Sequence, residues 1–303
     1  MRVVVTGGTG FVGRALVSSL VARGDEVAVL TRDPERARND VPAGVALEAW
    51  SAREAWRARV RDCAAVVHLA GEGVADGRWS AARLERIRAS RVETTDALAE
   101  AIAGAYTKPT WVSASAVGIY GMRRDDDVLD EQGPHGTDLL ASICEAWEAA
   151  TDPARRAGAR VAIARLGVVL GRDGGALARM LPAFKAFTGG PLGDGRQWLS
   201  WIHRDDAVRG LLFAIDRAEV DGPFNLTAPK PVTMNELAKA LGHALHRPSA
   251  LRVPPFALRL ALGEGLAEVL LTGQRAVPAR LERAGFTFEY ETVDAAMAEI
   301  ARG

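Results

Sequence analysis

Residues 2–13 read Arg-Val-Val-Val-Thr-Gly-Gly-Thr-Gly-Phe-Val-Gly, a short apolar run that meets a cluster of glycines just where an amphipathic pattern begins. A strand that ends in a tight turn and passes straight into a helix is the expected result. Such a turn needs residues without Cβ so that the backbone curls sharply and can approach a ligand. The free N–H groups and positive dipole end of the helix then face an anion. Gly8-x-Gly10-x-x-Gly13 has the dinucleotide-fingerprint spacing, and Gly7-x-x-Gly10-x-x-Gly13 supplies a second register. A nucleotide pyrophosphate is therefore expected on Gly7, Thr9, Gly10, Phe11, Val12 and Gly13.

Further strand patterns fall at residues 27–31, 45–50, 65–69, 110–113 and 160–165, alternating with helical ones. That alternation predicts an α/β chain built on a doubly wound parallel sheet of the Rossmann type. The first helix should end at Arg23-Gly24, and residues 81–103 read as one long helix whose Ile87, Val92, Leu98 and Ile102 face the core. After residue 168 the texture changes to glycine- and proline-rich segments, including 171–175, 189–195 and 229–231. We expect residues 1–168 to form the nucleotide-binding domain, with a return to the sheet near 200–216 inside a segment reaching 228. Residues 169–199 and 229–303 would form a smaller, substrate-side C-terminal region.

Lysine plus arginine and aspartate plus glutamate balance at 38 each, and no basic tract occurs, which argues against nucleic acid or an anionic membrane as partner. No apolar run approaches a membrane span and the N-terminus enters a strand directly, so a cytoplasmic protein with a small-molecule substrate is expected. Cys63 and Cys144 lack metal-site or disulfide spacing and read as buried thiols; no metal is expected.

The tip of the second strand, Leu30-Thr31-Arg32, bears on the nucleotide. An acidic residue there suits the 2′-hydroxyl of NAD, whereas a guanidinium takes a 2′-phosphate. Thr31 and Arg32 thus favour NADP(H), the competing reading being that Arg32 is a solvated loop charge and Asp33 takes the ribose.

Together with the glycine turn, His68-Leu69-Ala70-Gly71-Glu72, residues 90–95, Ser113-Ala114-Ser115 before Ile119-Tyr120-Gly121, residues 147–150, Arg165 to Gly171 and Trp201 to Asp206 carry a further signal. By them the chain resembles the extended short-chain dehydrogenase/reductase superfamily, in its atypical epimerase-family branch (nucleoside-diphosphate-sugar epimerase, SulA-like). The segment 254–290 is similar to that branch's C-terminal domain. The resemblance implies cofactor contacts from Leu69, Ala70, Gly71, Ser113 and Val168, and a homodimer paired through helix 81–103 and the helix around 143–150. It also implies that Arg91, on the site of a common asparagine, reaches the cofactor; an ordinary helix-surface arginine is the alternative.

The superfamily moves protons with a Tyr-x-x-x-Lys pair, and this chain has none: four residues beyond Tyr106, Tyr120 and Tyr290 stand Thr110, Arg124 and Asp294. Aligning Glu148 with the glutamate that follows the motif places Leu140 at the tyrosine and Cys144 at the lysine. Ser115, expected just beyond a strand end, is then the first candidate to hydrogen-bond a reacting oxygen. Tyr120 in the same loop is the second, with Arg124 able to lower its pKa only if the loop turns helically; a ring that packs the loop is the alternative. His203 reads as a general base or as part of a helix start with an aspartate N-cap. Trp198 and Trp201 read as pocket wall or core, and loop 189–193 as a border of the substrate. Two functions follow: an NADP(H)-dependent oxidoreductase or epimerase-like enzyme, or a catalytically silent NADPH-binding sensor or scaffold.

Overall fold

The computed structural model describes residues 1–302. Seven parallel strands form one sheet: β1 (Arg2–Thr6), β2 (Glu26–Thr31), β3 (Ala46–Ala49), β4 (Ala65–His68), β5 (Thr110–Ala116), β6 (Val161–Leu166) and β7 (Gly222–Leu226). Their order across the sheet is β7-β6-β5-β4-β1-β2-β3, so the chain winds outward twice from β1. The reversal places the C-terminal ends of β1 and β4 at a crevice, where α/β folds bind ligands.

Alternation along each strand explains the layers. Val3, Val5, Val27, Val29, Ala65 and Val67 face one side and pack on α1 (Phe11–Ala22) and on helix Arg204–Asp216. Val4, Ala28, Leu30, Val66 and Trp111 face the other and pack on α2 (Arg53–Arg61) and α3 (Ala81–Ala103). Both faces are covered, which is why the strands read as continuous apolar runs. Helix α3 buries Ile87, Leu98 and Ile102 as its pattern requires, while Val92 is only half-buried.

Helix α4 (Leu139–Ala149) flanks β5, and Asp138 caps it by accepting the amides of Leu140 and Ala141. Beyond β6, Val168–Leu170 pairs in parallel with Trp201–His203, outside the main sheet. A second core gathers there from α5 (Gly175–Lys185), α7 (Met234–Leu245) and the C-terminal helix Val293–Arg302, around Leu177, Phe184, Trp201, Leu237 and Met297, whereas the intervening α6 (Arg204–Asp216) packs into the first core. Helices α8 (Pro255–Leu262) and α9 (Glu264–Leu271) complete this lobe, and we number the C-terminal helix α10.

Two expectations are corrected. The return to the sheet is β7, within the expected 200–228 segment but after residue 216, because 201–203 leave the sheet and 204–216 are helical. Strand β5 runs on to Ala116, so Ser115 lies within it, paired with Arg165, rather than beyond its end.

Candidate functional site

The glycine turn forms as its spacing requires. Gly7 has φ +71°, and a Cβ there would stand 2.6 Å from the Leu69 carbonyl carbon and 2.8 Å from the Ala70 nitrogen. A Cβ on Gly13 would lie 2.0 Å from the Gly7 oxygen, so α1 touches the turn with no room for a side chain. The Gly10 amide closes the turn on the Gly7 carbonyl at 3.0 Å. Gly10 caps α1 without a side-chain bond, so the first-turn amides keep their donors for another acceptor. Thr9, Phe11 and Val12 are half-buried along this rim. The structure therefore brings Leu69 and Ala70 to the turn from the end of β4, with Gly71 next in the chain beside Arg91.

A hydrogen-bonded chain fixes that junction. The Ala70 amide donates to Thr6 Oγ1 at 3.3 Å, and Thr6 Oγ1 lies 2.6 Å from His68 Nδ1. His68 Nε2 lies 3.0 Å from Thr95 Oγ1, which donates to the Arg91 carbonyl at 2.7 Å. Since that hydroxyl gives its proton away, Nε2 must carry the imidazole proton and Nδ1 must accept from Thr6. Burial, with a smaller push from the Arg91 charge, holds the His68 pKa down to about 3, so the ring is neutral. Nothing in the sequence pattern singled out Thr6, His68 and Thr95 as one unit.

Arg91 is not an ordinary surface arginine. Its Nη1 donates to the carbonyls of Glu72 and Ile87, both at 3.0 Å, and its guanidinium lies over the Trp147 ring at 5.1 Å. It borders Gly71, where a Cβ would come within 3.3 Å of its Cζ. Its pKa is lowered, chiefly by burial.

At the tip of β2 the two competing residues differ. Asp33 is committed: its carboxylate accepts the Arg36 amide at 3.1 Å and caps the turn Pro34–Ala37. Thr31 Oγ1 bonds the Asp33 backbone. Arg32 is exposed and has no ion-pair or hydrogen-bond partner among the described residues.

The groups nearest the missing relay form a closed internal network. Ser115 is buried and donates to Glu148 Oε1 at 2.7 Å. Arg165 clamps the same carboxylate through Nε and Nη2, both at 2.9 Å, in the fork geometry that makes such pairs strong. Burial opposes the Arg165 charge, but bonding and attraction to Glu148 outweigh it and raise its pKa. Arg165 Nη1 donates to the Tyr120 hydroxyl at 3.1 Å, and Tyr120 donates to Asn225 Oδ1 at 2.7 Å. Residues 117–120 turn as a short 3-10 segment, yet Arg124 leaves for Glu268, so Arg165 and not Arg124 partners the phenol. Burial pushes the Tyr120 pKa up despite that cation. Cys144 is buried near Gly118, and burial followed by the Glu148 charge pushes its thiol up to about 12. Ser113 is fully buried in β5, and Val168 lies in the separate two-stranded sheet, its amide on the Ser200 carbonyl at 2.7 Å.

His203 is structural in its bonding. Nδ1 accepts the Asp205 amide at 3.2 Å, which makes His203 itself the N-cap of α6, and Nε2 reaches Glu299 at 2.9 Å. The expected aspartate cap is corrected: Asp206 turns inward, fully buried, to accept the amides of Glu289 and Tyr290. Trp201 is core, with its Nε1 on the Lys230 carbonyl, while Trp198 bonds Asp126 under the Arg275 guanidinium. Loop 189–193 packs on the 251–253 segment.

Beyond β5 an open cleft of about 600 Å³ is lined by Tyr120 to Asp125, Gly136 to Asp138, Glu268 and Thr272, between the sheet's C-terminal edge and the second lobe. No cluster of metal-ligating side chains occurs among the described residues. Nor is any helix there long and apolar enough to cross a membrane.

The profile of the NAD dependent epimerase/dehydratase family matches residues 3–227. The chain belongs to this family. A domain of unknown function, DUF1731, follows at residues 253–300. The epimerase family protein ML0860 of Mycobacterium leprae is 43% identical over 97% of this chain and 94% of its own length. The chloroplastic SDR39U1 homolog of Arabidopsis thaliana is 44% identical over 99% and 86%. The human epimerase family protein SDR39U1, solved with NADPH, superposes with a TM-score of 0.89 at 35% identity, covering 100% of this chain and 99% of that one. This epimerase-family chain is thus an atypical short-chain dehydrogenase/reductase in fold and sequence.

Proposed function

We propose that this epimerase-family protein binds NADP(H) and acts as an oxidoreductase or epimerase-like enzyme on a small molecule. One observation carries the cofactor choice: at the β2 tip Arg32 is exposed and has no ion-pair or hydrogen-bond partner among the described residues, while Asp33 Oδ1 accepts the Arg36 amide as a helix cap. A 2′-phosphate would meet an available guanidinium there, able to take it through charge-assisted bonds. The NADPH in the human relative's structure supports the same choice. The cradle fits a pyrophosphate, since side chains on Gly7 or Gly13 would fill it. When bound, the nicotinamide ring supplies hydride transfer. Gly7, Thr9, Gly10, Phe11, Val12 and Gly13 would hold the phosphates, Leu69, Ala70 and Gly71 the adjoining sugar, with Arg91, Ser113 and Val168 completing the crevice. Ser115 would turn its hydroxyl from Glu148 to the reacting oxygen of a substrate in the neighbouring cleft.

A second reading, a silent NADPH-binding sensor or scaffold, is favoured by a specific arrangement. Leu140 moves no proton, the Cys144 thiol stays protonated, and the Tyr120 phenol is tied to Arg165 and Asn225. Two measurements test these readings. Arg32→Ala should weaken NADPH at least tenfold and leave NADH unchanged; equal effects on both would remove Arg32 from phosphate recognition. Stereospecific oxidation of NADPH across a carbonyl panel, lost in Ser115→Ala, supports the enzyme. No turnover with any substrate, or turnover unchanged in the variant, removes that role from Ser115.

A further inference from the structure

Exposed apolar side chains are not spread evenly over this molecule. Half of the large ones among the described residues belong to one corner of the second lobe: Phe187 and Leu251, each 57% exposed, Phe256 at 70% and Leu260 at 77%. Backbone bonds tie their segments together. The Leu251 amide donates to the Gly189 carbonyl and the Val253 amide to the Pro191 carbonyl, so 251–253 lies alongside 189–191 just before α8 begins. Phe256 and Leu260 then stand one turn apart on the side of α8 opposite buried Leu258. Phe187 follows α5 with φ +62°, a left-handed conformation that favours glycine, and its ring is held outside the core.

Charge is segregated in the same corner. Residues 174–193 and 237–263 contain no aspartate or glutamate. The Arg247 guanidinium lies over the Phe187 ring at 4.4 Å. Arg247 and Arg252 donate to backbone carbonyls, those of His246 and Asp194, and like exposed Lys185 they have no carboxylate partner among the described residues. Carboxylates at the margin are engaged: Asp194 accepts the Arg196 amide, and Glu264 and Glu268 flank Arg259 at 3.1 and 3.8 Å. The even charge that argues against an anionic membrane holds for the chain as a whole; this corner is cationic and apolar at once.

We propose that it docks on an anionic bilayer surface, with Phe187, Leu251, Phe256 and Leu260 entering the interface while Lys185, Arg247 and Arg252 meet lipid phosphates. The contact is peripheral, since no helix among the described residues is long and apolar enough to cross a membrane. Such binding grows with buried apolar area and with attraction to anionic lipid, and one cation at the surface changes affinity about fivefold. Arg247 beside Phe187 has the arrangement this needs, a charged head on a flexible stem next to an apolar ring. An acidic protein would also meet the cations, but it would need a pocket shaped to each apolar tip, whereas acyl chains accept tips of any shape.

Sedimentation of the full chain with vesicles tests the proposal. At low salt the protein should pellet with phosphatidylglycerol and phosphatidylcholine in equal parts, stay in solution with phosphatidylcholine alone, and be released as salt rises. Phe256→Ser with Leu260→Ser should lower vesicle affinity at least tenfold with melting temperature unchanged, and Lys185→Gln should lower it about fivefold. Because Cys63 and Cys144 are buried, Leu260→Cys can be labelled alone with a nitrobenzoxadiazole dye, whose emission should move to the blue on the anionic vesicles. No pelleting with those vesicles, equal pelleting of the double serine variant, or an unmoved dye overturns the proposal. Full displacement by millimolar inorganic phosphate overturns it in favour of a simple anion site. A chain that ignores vesicles but is retained on immobilised polyglutamate overturns it in favour of an acidic protein partner.

Discussion

Gly13 separates close approach from simple turn-making. Its missing side chain lets the first turn of α1 rest directly on the Gly7 oxygen, so Gly13→Ala must prise the turn open. Overpacking of this kind costs about 1–3 kcal/mol, and we expect a lower melting temperature together with at least a tenfold loss of NADPH affinity. Gly24 is the control: φ is +86° but a Cβ there would meet no atom within 4 Å, so Gly24→Ala should lower stability and leave NADPH affinity as it was. Equal binding losses in both variants would mean that α1 transmits general instability rather than shaping the cradle. Tyr120 makes the opposite case, since its hydroxyl serves two buried partners. Tyr120→Phe removes the only donor to Asn225 Oδ1 among the described residues and should cost about 1–3 kcal/mol in denaturant unfolding, with NADPH affinity unchanged. Loss of turnover without loss of stability would instead make the phenol catalytic. The glycines were legible because their requirement is local; the fates of Ser115, Tyr120 and His203 were not. Each is decided by a partner far along the chain, Glu148, Asn225 and Glu299 respectively, and periodicity carries no sign of such pairings.

Elements were legible where pattern and burial agree, and β7 marks the limit. Gly222-Pro223-Phe224-Asn225-Leu226 lacks β-branched residues and contains proline, a composition tolerated because β7 is an edge strand. Residues 73–80, beyond the His68–Glu72 motif, were equally silent, yet they join the two lobes. From Gly71 the chain crosses to the second lobe, where Arg78 donates to the Leu260 carbonyl of α8 and Arg179 of α5 reaches Asp76 and the Ala75 carbonyl. Trp79 presses on Gly265 of α9, where a Cβ would lie 2.8 Å from its ring, and its Nε1 donates to the Val74 carbonyl. The polar ties are exposed and contribute little, so the indole contact is the principal fastening. In Trp79→Ala, amide exchange across residues 73–80 and α9 should quicken at least tenfold while β1 keeps its protection. Unchanged exchange in 73–80 would place the fastening elsewhere.

Across the whole molecule, acid sensitivity should originate at the crevice itself. His68 ties β1, β4 and α3 together as a neutral ring whose pKa is held down to about 3 by burial, whereas in the unfolded chain it titrates near 6.5. Between these values the unfolded state binds a proton that the folded state refuses, so stability is complete above about pH 6.5 and falls as the pH drops towards 3. From pH 6.5 to 5 the loss amounts to roughly 2 kcal/mol, at about 1.4 kcal/mol per pH unit. Asp25, whose carboxyl lies below its ordinary value through bonds to the N-terminus and Arg23 that outweigh its burial, loses its contribution only below that range. His68→Asn should therefore be less stable at pH 7, because Thr6 and Thr95 lose a partner, but its stability should vary less between pH 7 and 5 than that of the natural protein. Denaturant titrations of both proteins at the two pH values measure this difference in slope. Parallel slopes would show that the proton is taken up elsewhere, and that the junction on which the crevice depends tolerates acid.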